Sequence, residues 1–154
     1  MIVRVLMFGK LDWLTPAKVR LLALQTIRRI MSRIERFEEL SVWKEAVQIG
    51  LDIYRLTSSG KLKNDFAVND QLRRAAISIS NNIAEGFEYN NNRILMRFLG
   101  YSKGSAGELR SNLFVLREAG IISEDDHQRL NTKLMTMSKS LSGFIKYLKN
   151  YNNG

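Results

Sequence analysis

Apolar residues recur along most of this chain at steps of three and four, the spacing that lays one stripe down a helix. The last stretch shows it most cleanly: Leu130, Leu134, Met137, Leu141, Phe144 and Leu148 step by 4, 3, 4, 3 and 4. Ser123, followed by Glu124, Asp125 and Asp126, supplies an N-cap and acids for the first turn, while Lys146 and Lys149 fall near the end. Both ends thus match the helix dipole. A first helix is expected from about Val42 to Leu56, with Trp43, Val47, Leu51 and Tyr54 on one side. The TSSGKLKND that follows reads as a loop. A second helix begins near Asp65–Asp70, aligns Leu72, Ala76, Ile79 and Ile83, and stops around Gly86 as its C-terminal cap. A third, from about Asn92 to Ala119, carries Leu95, Leu99, Ala106, Leu109, Leu113 and Leu116 and ends at Gly120.

Four such helices with short links predict an all-α, antiparallel up-down-up-down four-helix bundle over residues 37–150, with 151–154 as a tail. Gly100, Gly104 and Gly107 lie close together inside the third helix, where each glycine costs up to about 1 kcal/mol relative to alanine. The stripe continues on both sides of them, so close approach of another backbone is the favoured explanation over a bend. The second helix also has a partial second stripe, Ile77, Ala84 and Phe87, beyond what one core needs, as an interface would.

Residues 1–36 stand apart as a basic N-terminal extension. Thr15-Pro16 is a helix-start signal, and a basic helix through Leu21, Leu24, Ile27 and Ile30 would carry Arg28, Arg29, Arg33 and Arg36. This front is either a native appendage or translation upstream of a start at Met31, and the sequence leaves both open.

Composition narrows the function classes. The 154 residues are 45% hydrophobic and 25% charged, ordinary for a soluble globular domain. Without cysteine there is no disulfide, thiolate metal site or cysteine nucleophile. No apolar run reaches the roughly 18–20 residues that span a bilayer, and Arg4, Lys10 and Asp12 interrupt the N-terminus, so a soluble cytoplasmic protein is expected. The net charge of +9 is uneven: residues 1–36 carry eight Lys/Arg against two acids, and the bundle sixteen against thirteen. His127 is the only histidine, and its Glu124-x-x-His127 step is one copy where a di-iron bundle needs two and further glutamates. It reads as a solvated first turn. With no phosphate loop, nucleophile elbow or carboxylate dyad, no enzyme chemistry, metal or cofactor is expected.

Three segments carry a resemblance: FEELSVWKEA (37–46), QLRRAAISISNNIAEG (71–86) and FLGYSKGSAGELRSNL (98–113). They resemble the bacterial four-helix-bundle family of 23S rRNA intervening-sequence proteins, most specifically at Asn82-Ile83-Ala84-Glu85-Gly86 and at Gly104-Ser105 with Glu108-Leu109. Members usually have a proline where this chain has Ser80, whose absence implies a straighter second helix. The family is similar in fold to Avd, the accessory protein of diversity-generating retroelements, a basic homopentamer that binds nucleic acid and a reverse transcriptase. That resemblance implies a homo-oligomer, a pentamer by analogy, and RNA or DNA as partner.

The residues of 71–86 admit two readings. Ser78, Ser80, Asn81, Asn82 and Glu85 fit a packing seam, with Glu85 within reach of Asn81, Asn82, Ser102 or Ser105, better than a recognition surface. Arg73 and Arg74 are either solvated, pairing with Asp70 or Glu108, or phosphate contacts. In the third helix Arg93–Arg97 and Arg110–Arg117 align in pairs, with Lys103 apart from both; Lys139 and Lys146 share a face of the fourth. The expected nucleic-acid contacts are Arg73, Arg74, Arg97, Lys103, Arg110 and Arg117, joined by the extension's Arg28, Arg29, Arg33 and Arg36. The alternative is a protein-interaction scaffold for an acidic partner or a nucleic-acid enzyme.

Overall fold

The computed structural model describes residues 34–152 together with Thr15, Ala17, Lys18, Leu21 and Leu22. The chain divides into two units, Met1–Glu35 and Arg36–Gly154. In the first, Thr15 Oγ1 accepts the Lys18 backbone N–H at 3.4 Å, the cap expected there. Arg28, Arg29 and Arg33 lie outside the described residues.

The second unit consists of α1 (Ser41–Thr57), α2 (Phe66–Glu88), α3 (Asn92–Glu118) and α4 (Glu124–Asn152), with 3-10 turns at Phe37–Glu39 and Gly60–Leu62. Each long helix packs against two others in the cycle α1, α2, α3, α4, and among the described residues no diagonal pair touches. This is a four-helix bundle with no strand among the described residues. Helix α4 continues two residues beyond the expected domain end at 150.

Side chains define the helix ends. Asp65 Oδ1 accepts from Val68 N–H to start α2, and Asn91 Oδ1 takes the N–H groups of Arg93 and Ile94 to start α3. Ser123 Oγ accepts from Asp126 N–H at 3.1 Å and donates to Asp126 Oδ2 at 2.9 Å, so both groups of the α4 cap serve each other. At the end of α1 the hydroxyls of Thr57 and Ser58 donate to the carbonyls of Ile53 and Tyr54 in the last turn. Gly120, at φ 64°, closes α3, with Ile121 N–H returning to Leu116 O at 2.9 Å.

The predicted stripes of α2, α3 and α4 form the core: every residue named for α2 and α3 is buried, as are those of α4 except the half-buried Phe144. Helix α1 is different. Its core face is Val42, Ala46, Ile49 and Ile53, again stepping 4, 3, 4, while Leu51 and Tyr54 are exposed and Trp43 and Val47 half-buried. The helix carries two apolar stripes, and the one with smaller side chains turns inward. Leu62, in the loop, is buried too, and its carbonyl accepts Asn69 Nδ2 at 2.7 Å.

The glycines also exchange roles. Gly86 lies inside α2, and a Cβ there would stand 2.6 Å from Phe98 Cβ and 3.3 Å from Leu95 Cα of α3. The stop two residues later is left to Asn90, at φ 47°. Gly100, Gly104 and Gly107 instead have, among the described residues and apart from their own stretch of helix, no atom within 4 Å of where a Cβ would stand. The α2–α3 seam is held by small and hydroxyl residues. Ser102 donates to Ile79 O at 2.9 Å, Ser78 and Ser105 share a 2.9 Å hydrogen bond, and Asn82 Nδ2 returns to Ser78 O at 2.7 Å. These are the packing contacts expected of 71–86, except that Glu85 is exposed and the seam closes without it. Helix α2 runs unbroken through Ser80, whose hydroxyl bonds Ile77 O.

Candidate nucleic-acid interface

Charge separates the two halves of the bundle. Helices α3 and α4 carry ten Lys/Arg against five Asp/Glu, and α1 and α2 four against five. Four of the five acids of α3 and α4 gather at their shared corner, Glu118, Glu124, Asp125 and Asp126. From Asn92 to Arg117 the only acid is Glu108, and α4 beyond Asp126 has none. Between that corner and the far ends of these two helices, nearly all the charged residues are therefore cations.

The six expected contact residues do not share one surface. Arg73 lies on the α1 side of α2, where its Nε donates to the buried Thr57 hydroxyl at 2.9 Å and its guanidinium sits 4.8 Å above the Tyr54 ring. It fastens α2 to the end of α1. Arg74 is exposed and pairs with Asp70 at 3.6 Å. Glu108, the other acid in reach by spacing, accepts from Gln71 Nε2 at 2.7 Å instead. Arg97 is exposed on the side of α3 nearer α2, beside Phe98 and Tyr101.

Lys103, Arg110 and Arg117 form one row rather than a pair and an outlier. They are spaced by seven residues, so each lies about 10.5 Å along the helix from the next and drifts by about 20°. The drift runs toward α4: Lys103 is exposed, while Arg110 and Arg117 are half-buried. Arg110 Nε donates to Asn131 Oδ1 of α4 at 3.0 Å and faces no carboxylate among the described residues. Arg117 stacks 4.5 Å over the Phe114 ring and is ion-paired with Glu118 and Glu124. Its charge is thus largely compensated. In the second unit the extension's Arg36 is compensated as well: its hydrogen bond holds the Glu38 carboxyl below the ordinary carboxylate range.

Between α3 and α4 this row opens a cavity of about 480 Å³ lined by Gly107, Arg110, Ser111, Phe114, Arg117, His127 and Asn131. His127 is buried here, not solvated as its place in an acidic first turn suggested. Its ring lies edge-on to Phe114 at 6.2 Å. Its Nδ1 has no hydrogen-bond partner, since Glu124 Oε1 lies 3.8 Å away. Among the described residues no third ligand joins these two to form a metal cluster.

One further group carries no signal in the sequence. Asp52 is buried on α1, and its carboxylate meets Lys133 Nζ at 2.5 Å, Arg55 at 3.2 Å and Arg129 at 3.6 Å. Lys133 stands 81 residues away, so only the fold brings the pair together. This cluster clips α1 to α4 and uses up two of the cations of α4.

Among the described residues no helix is long and apolar enough to cross a membrane. A crystal structure of a protein with unknown function from the S23 ribosomal protein family of Bacteroides thetaiotaomicron is similar in fold, with a TM-score of 0.62 at 20% identity. The similarity covers 68% of this chain and 98% of that one. No curated protein matches the chain. The family model of the 23S rRNA-intervening sequence proteins matches residues 38–143, which takes in α1, α2, α3 and most of α4. The chain belongs to the family of 23S rRNA-intervening sequence proteins.

Proposed function

We propose that this chain is a cytoplasmic, non-enzymatic scaffold that binds RNA or DNA through phosphate contacts along α3 and α4 and assembles with copies of itself through α1 and α2. The observation that carries the reading is the segregation of charge, ten cations against five acids in one half and four against five in the other. Lys103 and Arg110, one helical heptad apart and facing no carboxylate among the described residues, would be stabilised by an anion opposite. Aromatic residues interleave with them, Tyr101 beside Arg97 and the half-exposed Phe114 beneath Arg117, as on surfaces that bind single strands. Arg97, Lys103 and Arg110 are the principal contacts. Arg73, Arg74 and Arg117 contribute less, because Thr57 and Tyr54, Asp70, and Glu118 and Glu124 already occupy them.

Self-assembly is supported by the apolar side chains that the core leaves out. Leu51 and Tyr54 of α1 and Ile77 of α2 are each more than a third exposed, on the half that is not basic. Five copies is the number the resemblance to Avd implies. The same apolar face favours the second reading, a scaffold for another protein that does not itself touch nucleic acid. Fluorescence anisotropy of labelled RNA and DNA with the full chain, across a salt series, tests between them. Binding with a steep salt dependence supports the proposal; no binding at low salt leaves the protein scaffold.

A further inference from the structure

The cavity between α3 and α4 is more than a stretch of basic surface. We infer that it receives one unstacked nucleotide of a single strand, its base on Phe114 and Arg117 and its phosphate on Arg110. This rests on the nucleic-acid reading above and adds to it a site for the base.

Four observations point to that ligand. Phe114 is 50% exposed in a helix whose core is complete without it, and Arg117 holds a guanidinium plane 4.5 Å from its centroid. Aromatic rings and guanidinium planes are the two kinds of surface on which proteins stack unpaired bases, and here the Arg117 guanidinium already lies over the Phe114 ring, extending that stack. Arg110 is the one cation of the cavity not ion-paired among the described residues, which matches the single charge of a phosphodiester. The acids at Arg117 work against a multiply charged ligand in the same place. His127, nine-tenths buried with Nδ1 unpartnered, and the Asn131 amide add polar groups at the wall where a base edge would lie. The volume of about 480 Å³ is within the range of small-ligand sites. Another cavity, of about 380 Å³ beside the end of α1 and the start of α2, also has an aromatic ring, Phe66, but its Arg73 is held by Thr57 and Tyr54 and the Asp70 carboxylate lines it, which opposes a phosphate there.

A base-dependent affinity follows, separable from the phosphate term. The full chain is titrated with a labelled single strand, with an abasic strand of equal length and charge, and with a duplex. The intact strand is expected to bind roughly 5- to 150-fold more tightly than the abasic strand, the range of stacking one base on an aromatic side chain. Phe114→Leu, at an exposed position, should remove that difference and leave the salt dependence unchanged, while Phe114→Trp should keep it. Equal binding of intact and abasic strands overturns the nucleotide site but leaves the phosphate surface standing. Absence of binding to every strand overturns both.

Discussion

The two halves of the bundle bury similar stripes and present opposite surfaces. Helices α1 and α2 place small side chains such as Ala46, Ala75 and Ala76 inside and leave Leu51, Tyr54 and Ile77 outside, with almost no net charge. Helices α3 and α4 place their leucines inside and leave arginines, lysines and open glycines outside, interleaved with Tyr101, Phe114, Val115 and Met135. With Ile49, Ile53, Leu72, Ile79 and Ile83 also buried, the core of α1 and α2 is filled without Leu51, Tyr54 and Ile77. The lesson is that helical periodicity identifies a face, and side-chain size together with the neighbouring helix decides which face is the core.

The comparison can be broken at the apolar half first. Leu51→Glu with Ile77→Glu should weaken self-association by at least about 30-fold, the ~2 kcal/mol of a hot-spot residue, with folding little affected at these exposed positions. Sedimentation velocity reads the outcome. An unchanged mass would remove α1 and α2 as the assembly surface.

The glycines sharpen the contrast at smaller energies. Gly86→Ala forces a methyl to 2.6 Å from Phe98 Cβ and should destabilise the bundle by about 1–3 kcal/mol in urea unfolding. Gly104→Ala, with nothing within 4 Å, should stabilise it by about 0.5–1 kcal/mol through helix propensity. The α4 cap gives a smaller loss: Ser123→Ala should cost about 1 kcal/mol.

The smallest effect is one of pH. The Arg129 guanidinium, helped by the Ser123 hydroxyl, holds the Asp126 carboxyl below the ordinary Asp range. A carboxylate lowered on folding adds stability above its unfolded value and loses it as the pH falls through the folded one. Asp126→Asn should therefore lower thermal stability at neutral pH and flatten its decline below about pH 4.

Much of the fold is legible in the sequence, because α2, α3 and α4 each have one continuous apolar stripe, with only a partial second one on α2, and capping residues in place. Helix α1 is not, since Trp43, Val47, Leu51 and Tyr54 are spaced as well as Val42, Ala46, Ile49 and Ile53 and are larger. Gly86 looks like a cap because glycine serves both for positive φ and for close approach, and spacing does not tell these apart. The cluster Gly100, Gly104 and Gly107 misleads in the opposite way. The row Lys103, Arg110 and Arg117 is readable from its repeat of seven. The burial of His127 and its company with Arg110 are not, because they depend on how α4 lies against α3.

The central claim, that polyanions meet α3 and α4, is tested most directly by removing three charges from either half. The full chain is compared with Arg97→Gln/Lys103→Gln/Arg110→Gln and with Lys44→Gln/Arg55→Gln/Arg74→Gln, all with net charge lowered equally, by the slope of log affinity against log salt. Each phosphate contact contributes about 0.7–0.9 to that slope. The first variant should lose roughly 2 to 3 from the slope, and the second, which removes only the minor contact Arg74, less than about 1. Equal losses in both, or a loss confined to the second, would contradict the account.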